Sequence, residues 1–265
     1  MDTKKIACYQ IDAFTDELFG GNPACVVVLD NWLPDDLLLK ITRENAVPET
    51  AFFIPEGEGF HLRWFTPEHE MDLCGHATLA TAHVLKTELA YAADTIRFSS
   101  KSGMLEVSVS GDTYTLNFPS RKPMDAGLPV EIANALSKQP VKVLKSRDYF
   151  LVYESQEDIE ELVADREKLS HVDTTPGGII VTAVGNQVDF VSRFFVPGAS
   201  IFEDPVTGSA HCSLIPYWSE VLGKKELKAL QLSDRLGKLD CTDLGDRVLI
   251  SGTARTYSAG YIFIP

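Results

Sequence analysis

The feature that most restricts this chain is that it is written nearly twice. "RWFTP" at Arg63–Pro67 returns as "RFFVP" at Arg193–Pro197, and "FSSKSGMLEVSVSGD" at Phe98–Asp112 returns as "LSDRLGKLDCTDLGD" at Leu232–Asp246. Between these anchors "CGHATLATAHVL" falls opposite "TGSAHCSLIPYW", so Gly75 matches Gly208 at an offset of 133 residues, and Gly111 matches Gly245 within one residue of that offset. A repeat of this length exceeds the roughly 20–50 residues of a solenoid unit, so each copy must bury a core of its own. With 265 residues and 45% hydrophobic content there is material for two such cores.

Each copy mixes β patterns with one apolar helix. "KIACYQIDAF" alternates as a strand, "FGGNPACVVVLD" turns at Gly20, Gly21 and Pro23 into another, and "LPDDLLLKITREN" has helical spacing with Asp35 and Asp36 in its first turn. "ETAFFIP", "FHLRWFTP", "TIRFSSKSG", "MLEVSVSGD" and "TYTLNFPS" read as strands, and "VEIANALSK" and "QEDIEELVADREKL" as helices. The expected fold is α+β, with two pseudo-symmetric lobes, each a curved mixed sheet around a central helix. The N-terminal lobe covers residues 1–118, with the C-terminal strand 254–265 available to complete it, and the C-terminal lobe covers 119–253. Ligands are expected in the cleft between the lobes.

A formal net charge of −14 leaves no basic stripe for phosphates and repels an anionic bilayer, which argues against nucleic-acid and membrane partners. Apolar runs such as "ACVVVL" fall far short of the ~20 residues of a bilayer span. "MDTKKIACYQ" has no signal-peptide apolar region, so a cytoplasmic location is expected. Five scattered cysteines without a C-x-x-C pair suggest neither a disulfide framework nor a zinc cluster.

The turns "LCGHA" and "VTGSA" each open a helix whose unpaired N–H groups suit a substrate carboxylate, and Gly75 and Gly208 permit close approach of a ligand. Cys74 at a helix N-terminus has the setting of a thiol with a depressed pKa, against the alternative of a small buried cap residue. Two-thiol racemisation needs a second thiol, but Thr207 stands opposite Cys74 and Cys212 lies five residues further along. His76, in the first helical turn, is placed for the dipole to keep it neutral and able to handle a proton. His83 and His211 lack the i, i+4 spacing of helical zinc sites, so no metal is expected. Glu49, after Pro48 and before a strongly apolar strand, is a carboxylate in poor contact with water, suited to taking and returning a proton; the alternative is one exposed loop glutamate among many. Its counterpart in the second copy falls near "PGGII", without a carboxylate, which fits a single-base mechanism. Asp204, before Pro205, is aimed into the turn feeding the second helix, while Ser209 and Thr207 are cap residues or oxygen-binding groups.

With "ETAFF", "CGHATLA" and "EDPVTGSAHC" so spaced in a duplicated chain, the sequence resembles the PhzF family of phenazine-biosynthesis-like isomerases, which share the diaminopimelate epimerase fold. The resemblance spans essentially the whole chain and rests on Gly75–Thr78 together with Asp204–Ala210. It implies a cofactor-independent isomerase, often a homodimer, in which Glu49 is the acid/base and His76, Asp204, Gly75, Gly208 and Ser209 hold the polar groups of a small carboxylate-bearing substrate. The best-characterised members isomerise a dihydro-hydroxyanthranilate. Two departures bear on substrate choice: Pro48 stands where relatives commonly carry serine, and the Arg-Pro-Ser element many have after the second helix is absent from "LQLSDRLGKLD". The rival readings are an amino-acid racemase or epimerase using the single thiol of Cys74, and a non-catalytic small-molecule binding protein.

Overall fold

The computed structural model describes residues 3–265. In chain order the elements are β1 (Lys4–Ala13), β2 (Asn22–Val28), α1 (Asp35–Asn45), β3 (Glu49–Glu56), β4 (Gly59–Phe65), β5 (Glu70–Met71), α2 (Gly75–Thr87), β6 (Thr95–Ser100), β7 (Gly103–Ser110), β8 (Thr113–Pro119) and β9 (Met124–Asp125). They continue with α3 (Val130–Ala135), β10 (Lys142–Lys145), β11 (Tyr149–Val152), α4 (Gln156–Glu161), α5 (Arg166–Leu169), β12 (Ile179–Val184), β13 (Phe190–Phe195), α6 (Gly208–Leu222), β14 (Glu226–Gln231), β15 (Gly237–Asp243), β16 (Arg247–Gly252) and β17 (Ala254–Ile264). The fold is α+β. Two compact units divide it: the first runs to Asn117 and takes up Ser251–Pro265, and the second is Phe118–Ile250.

The first unit builds its sheet by alternating pairings. β1 and β2 are antiparallel, β2 and β3 parallel, β3 and β4 antiparallel, β4 and β6 parallel, and β6 and β7 antiparallel. β17 returns to pair antiparallel with β1. The second unit repeats the series: β10–β11 antiparallel, β11–β12 parallel, β12–β13 antiparallel, β13–β14 parallel and β14–β15 antiparallel. Parallel neighbours cannot be joined by a hairpin and require a crossover. In the first unit α2 crosses between β4 and β6; in the second, α6 crosses between β13 and β14.

These crossover helices are the cores of their units, and their composition explains why. Gly75 through Leu85 are buried without interruption, which suits a helix with no charged face in that stretch. In α6 all residues from Ala210 to Pro216 are buried, as is Trp218. Pro216 cannot donate to the carbonyl four residues earlier, and the Arg121 N–H takes that carbonyl instead, at 2.8 Å from Cys212 O. The Trp218 indole N–H donates to Thr182 Oγ1 at 2.9 Å, and its ring stacks on Phe190 with centroids 6.0 Å apart.

The echo "RWFTP"/"RFFVP" has a structural meaning. Arg63 forks onto Glu70 through Nε (2.7 Å) and Nη2 (2.9 Å), and Arg193 forks onto Glu203 at the same two distances. Each guanidinium also lies 5.0 Å from a phenylalanine ring two residues on, Phe65 and Phe195. Each bidentate pair anchors the segment that leads into its central helix.

One element departs from its sequence pattern. "QEDIEELVADREKL" forms two short helices, because Leu162 leaves helical geometry with ψ 124° and Asp165 starts a second helix by accepting the Lys168 N–H at 3.1 Å. "VEIANALSK" is helical only to Ala135, where Leu136 turns extended. Among the described residues no helix is long and apolar enough to cross a membrane.

Both central helices carry a buried histidine that stays neutral. His83 sits between Tyr114 Oη and Thr256 Oγ1, each at 3.0 Å, and His211 Nδ1 donates to Thr207 O at 2.8 Å. Burial pushes the pKa of each down to about 4 from an ordinary 6.5. A folded-state pKa below the unfolded one means that the unfolded chain alone takes up these protons as pH falls from about 6.5 to about 4. Stability should therefore be flat in these groups above that window and decline through it, by at most ~1.4 kcal/mol per pH unit for each histidine. Denaturant unfolding across the window measures this, and His83→Gln should make the decline shallower; an unchanged slope in that variant would contradict the assignment.

Candidate active site

The candidate residues of the first unit converge because of its parallel pairing. β2 and β3 run in the same direction with Ala24 opposite Glu49, so Asn22, which opens β2, and Glu49, which opens β3, lie at the same end of the sheet. Glu49 follows a sharp stop: α1 ends at Ala46 in the left-handed region with φ 54°, and Val47 and Pro48 lead straight into β3. Asn22 follows Gly21, whose φ is +60°; a Cβ there would stand 2.1 Å from the Ala13 carbonyl oxygen, so only glycine fits. α2 brings in Cys74 as its N-cap, with Gly75 and His76 in the first turn, all buried.

At this end Glu49 Oε2 faces His76 Nε2 at 3.1 Å, with the two side chains 15% and 4% exposed. Neither atom has a well-aligned hydrogen bond among the described residues, so the approach is close but off-axis; catalytic pairs without ligand often have this geometry. On the other side of the ring, His76 Nδ1 lies 3.2 Å from Asn22 Nδ2 and 3.6 Å from Cys74 Sγ. The Cys74 side chain makes no cap hydrogen bond at the start of α2.

The electrostatics of this cluster favour the buried-cap alternative for Cys74 and correct the expectation for His76. The Cys74 thiol is not depressed by its helix end: burial, with the Glu49 charge adding to it, raises its pKa despite the opposing effect of His76. His76 is not pulled down by the dipole either. Burial opposes its charged form, but Cys74 and Glu49 on its two sides outweigh burial and raise its pKa well above the ordinary value. Because the thiol is itself protonated at neutral pH, the Glu49 carboxylate is the charge that matters. The short-range field of a neighbouring carboxylate has overridden the helix dipole.

Glu49, Cys74 and His76 also offer one ligand atom each within 4.8 Å of one another. Yet the thiol approaches Nδ1 and the carboxylate approaches Nε2. One ion can take only one ring nitrogen, and a thiol raised by burial resists the deprotonation that ligation needs. The donor set is therefore a poor fit for a metal.

In the second unit the turn into α6 gathers Asp204, Thr207, Gly208 and Ser209. Thr207 is the N-cap, but its hydroxyl turns away from the helix and donates to Asp204 Oδ2 at 2.6 Å. Gly208 is buried in the first turn, while Ser209 beside it keeps partial exposure. The turn is fixed by Gln231, 1% exposed at the end of β14. Its Oε1 accepts the Thr207 N–H at 2.8 Å and its Nε2 donates to Asp204 O at 2.7 Å.

The sequence-predicted residues thus form two groups, Glu49, Gly75 and His76 in one unit and Asp204, Gly208 and Ser209 in the other. Sequence reasoning missed Asn22 and Gln231. The Gly-Gly-Asn-Pro turn was a signal for the first, since a glycine pair there presents Asn22 in a fixed direction. Gln231 at the end of an apolar strand offered none.

Comparison with known proteins shows the family and the fold. The model of a family described as phenazine biosynthesis-like protein (PhzC-PhzF) matches residues 11–260. An uncharacterized isomerase of Pseudomonas aeruginosa is 44% identical over 260 residues, covering 98% of this chain and 100% of the relative. The crystal structure of a PhzF-family phenazine biosynthesis protein of Enterococcus faecalis matches with a TM-score of 0.94 at 44% identity, covering 98% of this chain and 100% of that one. A hydroxyproline epimerase from Agrobacterium vitis, with a TM-score of 0.64 at 9% identity over 98% of this chain and 93% of that one, shares the fold.

Proposed function

Because the chain belongs to the PhzC-PhzF family of phenazine biosynthesis-like proteins, we propose that it is a cofactor-independent isomerase that moves a proton between two carbons of a small carboxylate-bearing substrate. The observation that carries this reading is the Glu49–His76 pair, a carboxylate and an imidazole 3.1 Å apart and nearly closed to water at the mouth of an uncapped helix. Glu49 takes a proton from one substrate carbon, holds it as the carboxylic acid and returns it to another carbon on the same face. His76 steadies the carboxylate before the first step and after the second. The α2 N-terminus at Gly75 attracts the substrate carboxylate; the α6 turn of the second unit, with Asp204, Gly208 and Ser209, offers a further set of polar groups.

The thiol rival has less support, because burial keeps Cys74 protonated and Thr207 occupies the matching cap in the second copy. A cytoplasmic setting belongs to the same reading and is supported by five free cysteines. So does a homodimer, supported by the exposed Tyr257, Tyr261 and Phe263 on the β17 side of the first unit's sheet. The test is turnover in heavy water with a panel of cyclic and acyclic amino and hydroxy acids. Deuterium should enter substrate carbon without any added cofactor; retention of ligand binding with no exchange in any compound would favour a binding protein instead.

A further inference from the structure

The five cysteines differ in their surroundings. Cys25, Cys74, Cys212 and Cys241 are buried, and Cys8 alone of the five keeps partial exposure. The β1–β2 register explains its setting: Cys8 stands opposite Val27 and Gln10 opposite Cys25, so the two cysteines are diagonal neighbours on one face of the sheet. On the other flank β17 sets Gly260 opposite Cys8. A Cβ at Gly260 would meet nothing within 4 Å, so that flank of the thiol is left uncovered. The remaining neighbours on this face, Ile6 and Gln10 on β1, Val27 on β2, and Ile262 and Ser258 on β17, carry no charge. Tyr261 and Phe263 point to the opposite face.

The two thiols share one hydrogen bond, and its direction follows from burial. Cys25 is 4% exposed, so a thiolate there would be stripped of water, while a thiolate on the partly open Cys8 keeps some. The proton therefore stays on Cys25 and is donated to the Cys8 sulfur. This bond draws the Cys8 pKa below the ordinary thiol value against the opposing effect of burial, and together with burial it pushes that of Cys25 up. We infer that Cys8 is an oxidative modification site that takes hydroperoxides, with the Cys25 S–H as the fixed donor that stabilises its thiolate. The Cys8 sulfur attacks one peroxide oxygen. An S–O bond forms as the O–O bond breaks, the sulfur is oxidised by two electrons to a sulfenic acid, and the departing hydroxide takes up a proton and leaves as water. Cys25 keeps its own proton throughout.

The experiment treats the reduced, folded, full-length protein with hydrogen peroxide in excess dimedone, which captures sulfenic acid as it forms. Tandem mass spectrometry of the peptides then locates the adducts. The first adduct should be on Cys8. In Cys25→Ala, which removes the donor, its rate of formation should fall on the order of three- to tenfold. Cys25→Ser, whose hydroxyl can donate in place of the thiol, should recover toward the parent rate. Gly260→Val should also slow the reaction, by covering the open flank. Labelling of another cysteine ahead of Cys8, or of none, overturns the proposal whether or not any variant folds. So does a Cys25→Ala or Gly260→Val variant that is labelled as fast as the parent.

Discussion

Glu49→Gln should lower the rate of solvent-deuterium incorporation by about 10²–10⁴-fold, the range lost when a positioned acid/base is removed. The substitution preserves volume and can still accept from His76 Nε2–H through its amide oxygen, so β3 and the α2 cap should stay in place. What it removes is the ability to take a proton from carbon. Substrate affinity should change little on the proposed reading, because the helix N-terminus at Gly75 is untouched. Calorimetric titration of the variant with a turned-over substrate separates the two effects. Cys74→Ser gives the contrast: a hydroxyl keeps a donor beside Nδ1 but has no thiolate chemistry, so the rate should stay within about tenfold of the parent. The reverse outcome, with Cys74→Ser inactive and Glu49→Gln active, would move the assignment to the racemase reading.

Trp218→Ala should cost about 3–5 kcal/mol of unfolding free energy, the usual loss for removing a large buried aromatic. Three contributions meet there. The indole fills the space beside Phe190, it packs edge-on to Tyr217 with centroids 5.2 Å apart, and its N–H satisfies the buried Thr182 hydroxyl. Truncation leaves a cavity in the core of the second unit and a buried hydroxyl that loses one of its two bonds. Trp218→Phe keeps most of the volume, and only the hydrogen bond and a remnant of packing should be lost, about 1–2 kcal/mol. Urea unfolding of both variants tests the order. A cost below about 1 kcal/mol for alanine would mean that α6 is not the core element its burial indicates.

Much of this was legible from residues because duplication is a property of the sequence. The matched glycines located both central helices, and the apolar composition after Gly75 predicted a helix wrapped by a curved sheet. Glu49 and His76 were legible as candidates because each carries chemistry that its surroundings make unusual. Their pairing was not, since residues 27 positions apart meet through a parallel strand register that periodicity does not reveal. The charge behaviour of the cluster was also hidden. A helix end lowers the pKa of an isolated thiol or imidazole, and only coordinates disclose that full burial surrounds the thiol and that a carboxylate stands 3.1 Å from the ring. Gln231 escaped for a related reason: its work is to hold a turn 24 residues away in the chain, and no local pattern advertises that.

The twin arginine forks have a consequence for how such a chain can change. Glu70 and Glu203 each stand five residues ahead of the glycine that opens a central helix, and each is gripped by an arginine from the preceding strand. The arginine–glutamate fork ahead of each helix mouth is thus kept, while the positions beyond it have parted company: Cys74 against Thr207, His76 against Ser209, and Glu49 against Ile179 at the opening of the matching strand. Doubling a gene segment supplies a spare, and here the ancestral symmetry survives in the mountings and has been given up in the tools they carry. The fork ahead of each helix can then stay fixed while the residues of one copy's turn change without altering those of the other.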